Sequence, residues 1–287
     1  MSPVVDGKKI ARSILESLAS RVARLKKKGI TPTLAAVLVG NDKPSHTYVR
    51  KKGEAAEGVG VAFLRFALPA TISRRGLIQR LQEIQSRHEL SGLIIQLPLP
   101  KKTLQKHKPE IINHIRESID VDCLTDISLG RVMLGSNPLP PPTPSAMLEV
   151  LRFHKISLAG KHVVIVGRGD LIGKPLANVL LHEPVALTVL GPAVPLTPST
   201  READIIFTGV GKASLITGDM VKEGVVVVDG GTVFTGGKLR GDVEFESVEP
   251  KAFLITPVPG GVGPITVAKL IENVVANCER LHKVVLR

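Results

Sequence analysis

The chain has no tryptophan, one tyrosine and two cysteines in 287 residues. Aromatics make up only 3%, so aliphatic side chains must fill the interior. The same scarcity removes the stacking platforms on which single-stranded nucleic-acid binders rely. Cys123 and Cys278 alone build neither a disulfide framework nor a metal-ligand cluster, so a cytoplasmic protein without a metal is expected. No apolar run approaches the roughly 20 residues of a membrane-spanning helix. The opening Met-Ser-Pro-Val-Val-Asp-Gly-Lys-Lys lacks the apolar stretch of a signal peptide, and no membrane partner is expected. Acidic residues are outnumbered, 26 against 38 Lys and Arg, for a net charge of +12. That excess is dispersed: Lys26, Lys27 and Lys28 close a helix, and Lys101 and Lys102 fall in a loop. With no zinc-finger or RNP-type motif, no nucleic-acid partner is expected, and the field suits an anionic small substrate.

Aliphatic runs of strand length recur at Leu34–Val39, Val61–Leu68, Gly92–Leu97, Val163–Val166, Val185–Leu190, Asp204–Thr208, Val225–Val228 and Phe253–Ile255. Most are continuous rather than alternating, as in strands buried on both faces of a parallel sheet. Helical patterns separate them. The first carries Ile10, Ile14, Leu18, Val22 and Leu25 on one stripe and meets Gly29 as a stop. The reading is an α/β chain with parallel sheets and right-handed crossovers. Gly135 to Pro144, rich in proline and turn formers, marks a joint before a bridging helix at Ala146–His154.

In the second half, Gly167, Gly169 and Gly173 form G-x-G-x-x-x-G between a strand and a helix start. Glycine there lets a pyrophosphate reach the helix N-terminus, where free amides and the dipole favour negative charge. The acidic residue that an NAD site carries about 20 positions on is missing from Leu187 to Val194. Arg168, inside the turn, can meet a 2′-phosphate, so NADP is the expected cofactor, with NAD the alternative. Further on, Thr256-Pro-Val-Pro-Gly-Gly-Val-Gly-Pro264 combines three prolines with three glycines. It reads as a stiff loop, neither helix nor strand, with bare amides suited to a flat or anionic ligand.

In the first half, Tyr48 and Lys52 share one helical face. Arg50 and Lys51 beside Lys52 are expected to lower its pKa, and a lysine so shifted can serve as general acid or base. Taken alone, the pair fits better a solvated basic face with one tyrosine packing at its edge. Gln96 stands at the carboxyl end of a buried strand, where α/β ligands gather, and Asp120 and Asp122 form an acidic pair after a helix.

In order and spacing over the whole chain, Tyr48-x-x-x-Lys52, Gln96-Leu-Pro-Leu99, Asp120-Val-Asp122, Pro141-x-Thr-Pro144, Gly167-Arg168 with Gly173-x-Pro175, and Thr256 to Pro264 resemble the bifunctional methylenetetrahydrofolate dehydrogenase/methenyltetrahydrofolate cyclohydrolase family. The resemblance implies an N-terminal α/β catalytic domain (1–143, completed by the C-terminal helix 265–287) and a C-terminal Rossmann-type dinucleotide-binding domain (144–264), assembled as a homodimer. It implies oxidation of 5,10-methylenetetrahydrofolate with NADP, then hydrolysis of the methenyl product to 10-formyltetrahydrofolate, in one-carbon metabolism. Lys52 would be the acid/base group, Gln96 would tune it, Tyr48 would stack on the folate and Asp122 would anchor the pterin. Ile95, Leu97, Pro259, Gly260, Gly261, Val262 and Gly263 would line the folate, and Gly167, Arg168, Gly169, Gly173 and Thr232 the cofactor. The chain departs from the family's usual pattern at Cys123, Pro142 and Gly169, at Leu190 to Ala193, and at Gly230 to Val233. These changes fall mainly around the cofactor. The alternatives are therefore a cyclohydrolase with weak or lost dehydrogenase activity, or a folate- or nucleotide-binding protein without catalysis.

Overall fold

The computed structural model describes residues 4–100 and 102–284, the side chains of Lys102 and Thr103 apart. The chain divides into two compact units. One joins Ser13–Arg131 and Asn137–Pro142 to the segment beginning at Val267; the other joins the segment ending at Arg12 to Val132–Ser136 and Thr143–Thr266.

The first unit is built on three parallel strands, β1 (Thr33–Val39), β2 (Ala62–Leu68) and β3 (Gly92–Ile95), in the order β2-β1-β3. Successive side chains of β1 point to opposite faces. Leu34, Ala36 and Leu38 join one aliphatic cluster with Leu18, Val22 and Leu25 of helix Gly7–Lys27 and with Leu270, Ile271 and Val274 of helix Val262–Leu281. Ala35, Val37 and Val39 join another with Leu77, Leu81 and Ile84 of helix Arg74–Arg87. Burial on both faces explains why β1 is uninterrupted apolar sequence. Each fully buried leucine contributes roughly 1.5–3 kcal/mol. Helix Lys43–Gly58 begins where Asp42 caps it, its carboxylate accepting from the Ser45 amide (2.9 Å) and hydroxyl (2.7 Å). Lys101 lies outside the described residues, and Lys102 opens a short helix, Lys102–Lys106, rather than sitting in a loop.

The second unit carries β4 (His162–Val166), β5 (Ala186–Leu190), β6 (Ile205–Thr208), β7 (Val225–Asp229), β8 (Val233–Thr235), β9 (Lys238–Arg240) and β10 (Ala252–Ile255). Five of these make a parallel sheet in the order β10-β7-β6-β4-β5. From β4 the chain adds β5 on one side and β6 on the other, so the winding reverses between β4 and β6. Open α/β sheets place ligands in the crevice at such a reversal, beyond the carboxyl ends of the strands.

All eight aliphatic runs are strands, and the hairpin β8–β9 adds a ninth and tenth. Its turn is Gly236-Gly237, both at positive φ (60° and 75°), a dipeptide that favours tight hairpins and signals this one in retrospect. The proline-glycine segment is not a loop throughout. Helix Val262–Leu281 takes in Val262, Gly263 and Pro264 as its first turn. Proline is tolerated there because first-turn N–H groups have no intrahelical acceptor to lose. For the same reason the bridging helix starts earlier than expected, at Pro142, and runs to Phe153.

Candidate functional site

In the first unit, helix Lys43–Gly58 presents Lys52 to the end of β3. Gln96 follows that strand and is fixed twice: its backbone N–H donates to Val37 O (2.8 Å) and its side-chain Nε2 to Leu97 O (2.7 Å). The amide oxygen is thereby turned outward and accepts from Lys52 Nζ at 3.1 Å. Burial pushes the Lys52 ammonium below the usual lysine range, and the charge of Asp122 partly opposes this. Burial pushes the Asp122 carboxyl upward, Lys52 pulls it down and Asp120 adds to the rise. The cause of the lysine shift is thus desolvation, not the neighbouring cations: Arg50 is exposed and paired with Glu54 on the solvent side of the helix.

The two aspartates separate in role. Asp120, 2% exposed, accepts from the amides of Leu124 (3.2 Å) and Thr125 (2.9 Å) and holds the turn; Asp122 is the one that acts on Lys52. Cys123 takes φ of +56°, a left-handed conformation that favours glycine and costs another residue roughly 1–2 kcal/mol. Its buried thiol lies 3.3 Å from Leu139 O and accepts from Asn137 Nδ2 at 3.4 Å. Tyr48 is partly buried one turn before Lys52, with no side-chain hydrogen bond among the described residues. Ile95 belongs to the aliphatic cluster beneath β3, so only its backbone is offered to a ligand, whereas Leu97 is half-exposed. A separate polar cavity of about 880 Å³, lined by Thr33, Arg87, Ser91 and Arg116 among others, lies at the amino ends of β1 and β3. That is the opposite end of the sheet from Gln96.

In the second unit, the glycine turn follows β4. Gly167 has φ of +111°, and a Cβ on Gly173 would lie 2.0 Å from Gly167 O. Both positions therefore demand glycine, while Gly169 has an ordinary φ and open surroundings. The turn leads into helix Gly173–Leu180, whose capping residue Ile172 offers no side-chain acceptor to the first amides. The Arg168 guanidinium lies over Gly191, just past β5: a Cβ there would come within 2.1 Å of Arg168 Nε. In such folds the ribose 2′ position is read near the end of the second strand. Glycine at 191 makes room for a cation there. Thr232 is exposed between β7 and the hairpin.

The Pro259–Gly263 segment is shaped within the same unit. Gly260 has φ of +108° and accepts from the Gly7 amide at 3.0 Å, and Gly261 N–H donates to Pro257 O at 2.8 Å. Val262 is buried, whereas Pro259 and Gly263 are exposed. Sequence reasoning gave no role to Gly209 or to the buried acids Asp229 and Asp242, and named Gly191 only within the altered run Leu190 to Ala193. The run Gly241-Asp242 was the only available signal, and it reads as an ordinary turn.

A partly buried amine held by an oriented amide in one unit, and a glycine turn at a sheet reversal in the other, are the features of a two-unit α/β protein of the ligand-binding, Rossmann-like class. Residues 5–122 match the tetrahydrofolate dehydrogenase/cyclohydrolase catalytic domain, and residues 141–282 match its NAD(P)-binding domain. The chain belongs to the tetrahydrofolate dehydrogenase/cyclohydrolase family. It is 40% identical over 279 residues to the bifunctional protein FolD of Bacillus subtilis, covering 96% of this chain and 98% of that one. Its fold is similar to the bifunctional FolD structure from Campylobacter jejuni (TM-score 0.90, 38% identity, 97% and 99% covered). The Trypanosoma brucei enzyme, solved with NADP and an inhibitor, is similar at TM-score 0.92 and 34% identity, with 98% of each chain covered.

Proposed function

We infer that the protein oxidises 5,10-methylenetetrahydrofolate with NADP and hydrolyses the resulting methenyl compound to 10-formyltetrahydrofolate. The observation that carries the hydrolytic half is the Lys52–Gln96 contact: a desolvated amine, aimed by an amide with no freedom to turn. The family supplies the substrate class. NADP, when bound, accepts the hydride from the bridging methylene. Gly167, Arg168, Gly169, Gly173 and Thr232 are proposed to hold it. The glycines at 167 and 173 let the turn pack closely against the start of helix Gly173–Leu180, whose free amides are proposed to meet a phosphate, and the guanidinium over Gly191 is proposed to meet the 2′-phosphate.

Hydrolysis follows from the first unit's residues. Water adds to the cationic amidinium carbon, and Lys52 in its neutral form takes the water's proton. Gln96 keeps the nitrogen lone pair directed at the reacting centre. The ammonium so formed gives that proton to the ring nitrogen as the carbon–nitrogen bond breaks, while the carbinol hydroxyl releases the water's second proton to solvent and becomes the carbonyl of the formyl group on the other nitrogen. Asp122 stabilises the lysine in that charged interval and is proposed to accept from pterin N–H groups. Tyr48, its ring partly exposed, is proposed to cover the pterin face. Ile95 and Leu97 contribute backbone and side-chain contacts, and Pro259, Gly260, Gly261, Val262 and Gly263 further substrate contacts. The folate-binding catalytic domain is proposed as 1–143 with 265–287, and the dinucleotide domain as 144–264. A cytoplasmic homodimer is proposed as its working form.

Two assays decide the reading. Methylenetetrahydrofolate should reduce NADP, and methenyltetrahydrofolate should decay faster with enzyme than in buffer. Methenyl decay with no reduction of NADP or NAD would leave a cyclohydrolase alone; neither activity would overturn the reading.

A further inference from the structure

We propose that Asp242 is a positioning residue for the dinucleotide site, its carboxylate fixing the backbone of Val210, Gly211 and Lys212; this rests on the NADP-dependent reading above. Asp242 is wholly buried. Its Oδ1 accepts from the amides of Gly211 and Lys212, both at 2.8 Å. Its Oδ2 accepts from the Val210 amide at 2.6 Å and the Thr208 hydroxyl at 2.7 Å. Four neutral donors converge on one carboxylate, three of them consecutive backbone amides. A buried carboxylate is costly unless it is so satisfied, and only an anion or similar acceptor could gather three successive N–H groups to one point.

The loop held this way leaves β6 at the reversal of the sheet. Gly209, at its root, lies against the glycine turn: a Cβ on Gly167 would sit 3.1 Å from Gly209 O, and one on Gly209 would sit 2.7 Å from Ile172. The turn after β4 and the loop after β6 are thus the two walls of the crevice in which this topology takes a ligand. Asp242 shapes one wall from behind.

A second acid braces the arrangement. Asp229, at the end of β7, accepts from the amides of Gly231 (2.8 Å) and Val243 (3.0 Å), and its own N–H donates to Thr256 Oγ1 at 2.7 Å. Two glycines admit the pair. A Cβ on Gly231 would fall 2.2 Å from the Asp242 carboxyl carbon, and one on Gly241 would fall 2.1 Å from Asp229 Oδ2. Asp229 thus holds the segment leading to Thr232 through the Gly231 amide, and Gly231 in turn lies against the carboxyl of Asp242, which holds the loop after β6.

The test uses the full-length protein and two variants. Asp242→Asn turns an N–H₂ toward donors that need acceptors. Gly231→Ala keeps every polar group but drives a methyl into the carboxylate. Isothermal titration with NADP should show Kd raised at least tenfold in both, with KM for NADP following. Methenyl hydrolysis, whose Lys52 and Gln96 belong to the other unit, should stay within twofold of wild type. Unchanged NADP affinity in both variants overturns the proposal; so does a parallel loss of binding and hydrolysis, which marks a merely structural residue. If Asp242→Asn does not fold, Gly231→Ala decides on the same readouts. Wild-type protein that neither binds nor reduces NADP would defeat the dehydrogenase reading instead, a result visible before any variant is made.

Discussion

Lys52 Nζ donates to Gln96 Oε1 across 3.1 Å, and Gln96 cannot turn away because its Nε2 is committed to Leu97 O at 2.7 Å. The lysine is therefore aimed by the end of β3 rather than by its own helix.

Lys52→Ala should abolish methenyl hydrolysis while leaving the fold intact. Removing a general acid–base group costs about 10²–10⁴-fold in rate. Because the lost ammonium is desolvated, thermal stability should not fall with it. Stopped-flow decay of methenyltetrahydrofolate and a melting curve measure the two effects. Wild-type hydrolysis in the variant would remove Lys52 from the mechanism.

The pH profile of hydrolysis should follow the amine. If neutral Lys52 takes the proton, rate rises with pH through its depressed pKa. Gln96→Glu sets a negative charge beside the ammonium, favours the charged form and moves that rise to higher pH. Asp122→Asn removes the charge that opposes the depression and moves it lower. Shifts in the reverse directions would contradict the role given to Lys52.

Cofactor choice should hinge on Gly191. Gly191→Ala places a methyl where the Arg168 guanidinium lies, displacing the cation. KM for NADP should rise roughly tenfold, the scale of one exposed charge-assisted contact, with little change for NAD. Equal effects on both cofactors would argue that Arg168 does not meet the 2′-phosphate.

Asp229 should titrate far above an ordinary carboxylate. Burial, with the nearby Asp242 charge, pushes it up to about 7. A raised folded pKa means that the native state holds a proton which the unfolded chain has released. The associated stability is fully present below the unfolded value near 4 and is lost as pH rises to about 7. Carbon NMR of the Asp229 carboxyl should show a midpoint near 7, moving downward in Asp242→Asn as the like charge disappears. A midpoint near 4 in the wild type would refute this.

Much of this was legible in the residues. The central strands are legible because both of their faces are covered, so β1 carries Leu-Ala-Ala-Val-Leu-Val without a polar break, whereas the edge strands β2 and β5 are only partly buried and show as mainly apolar runs. Tyr48 and Lys52 follow from helical spacing, and the demand for glycine at 167 and 173 from a strand-to-helix turn. The β8–β9 hairpin was overlooked because its strands are only three residues long and largely exposed, leaving Gly236-Gly237 as the sole sign.

By itself the sequence determined what is local: which segments pack as strands, where helices stop, and which turn could face a phosphate. Those depend on contacts within a few residues, or on a hydrophobic period that any stretch displays. Tertiary structure alone decided the rest. Gln96 reaches Lys52 across 44 positions of chain, and Asp242 gathers amides some 30 positions earlier, pairings set by strand order and burial. Only packing could remove the water that lowers one lysine and raises one aspartate.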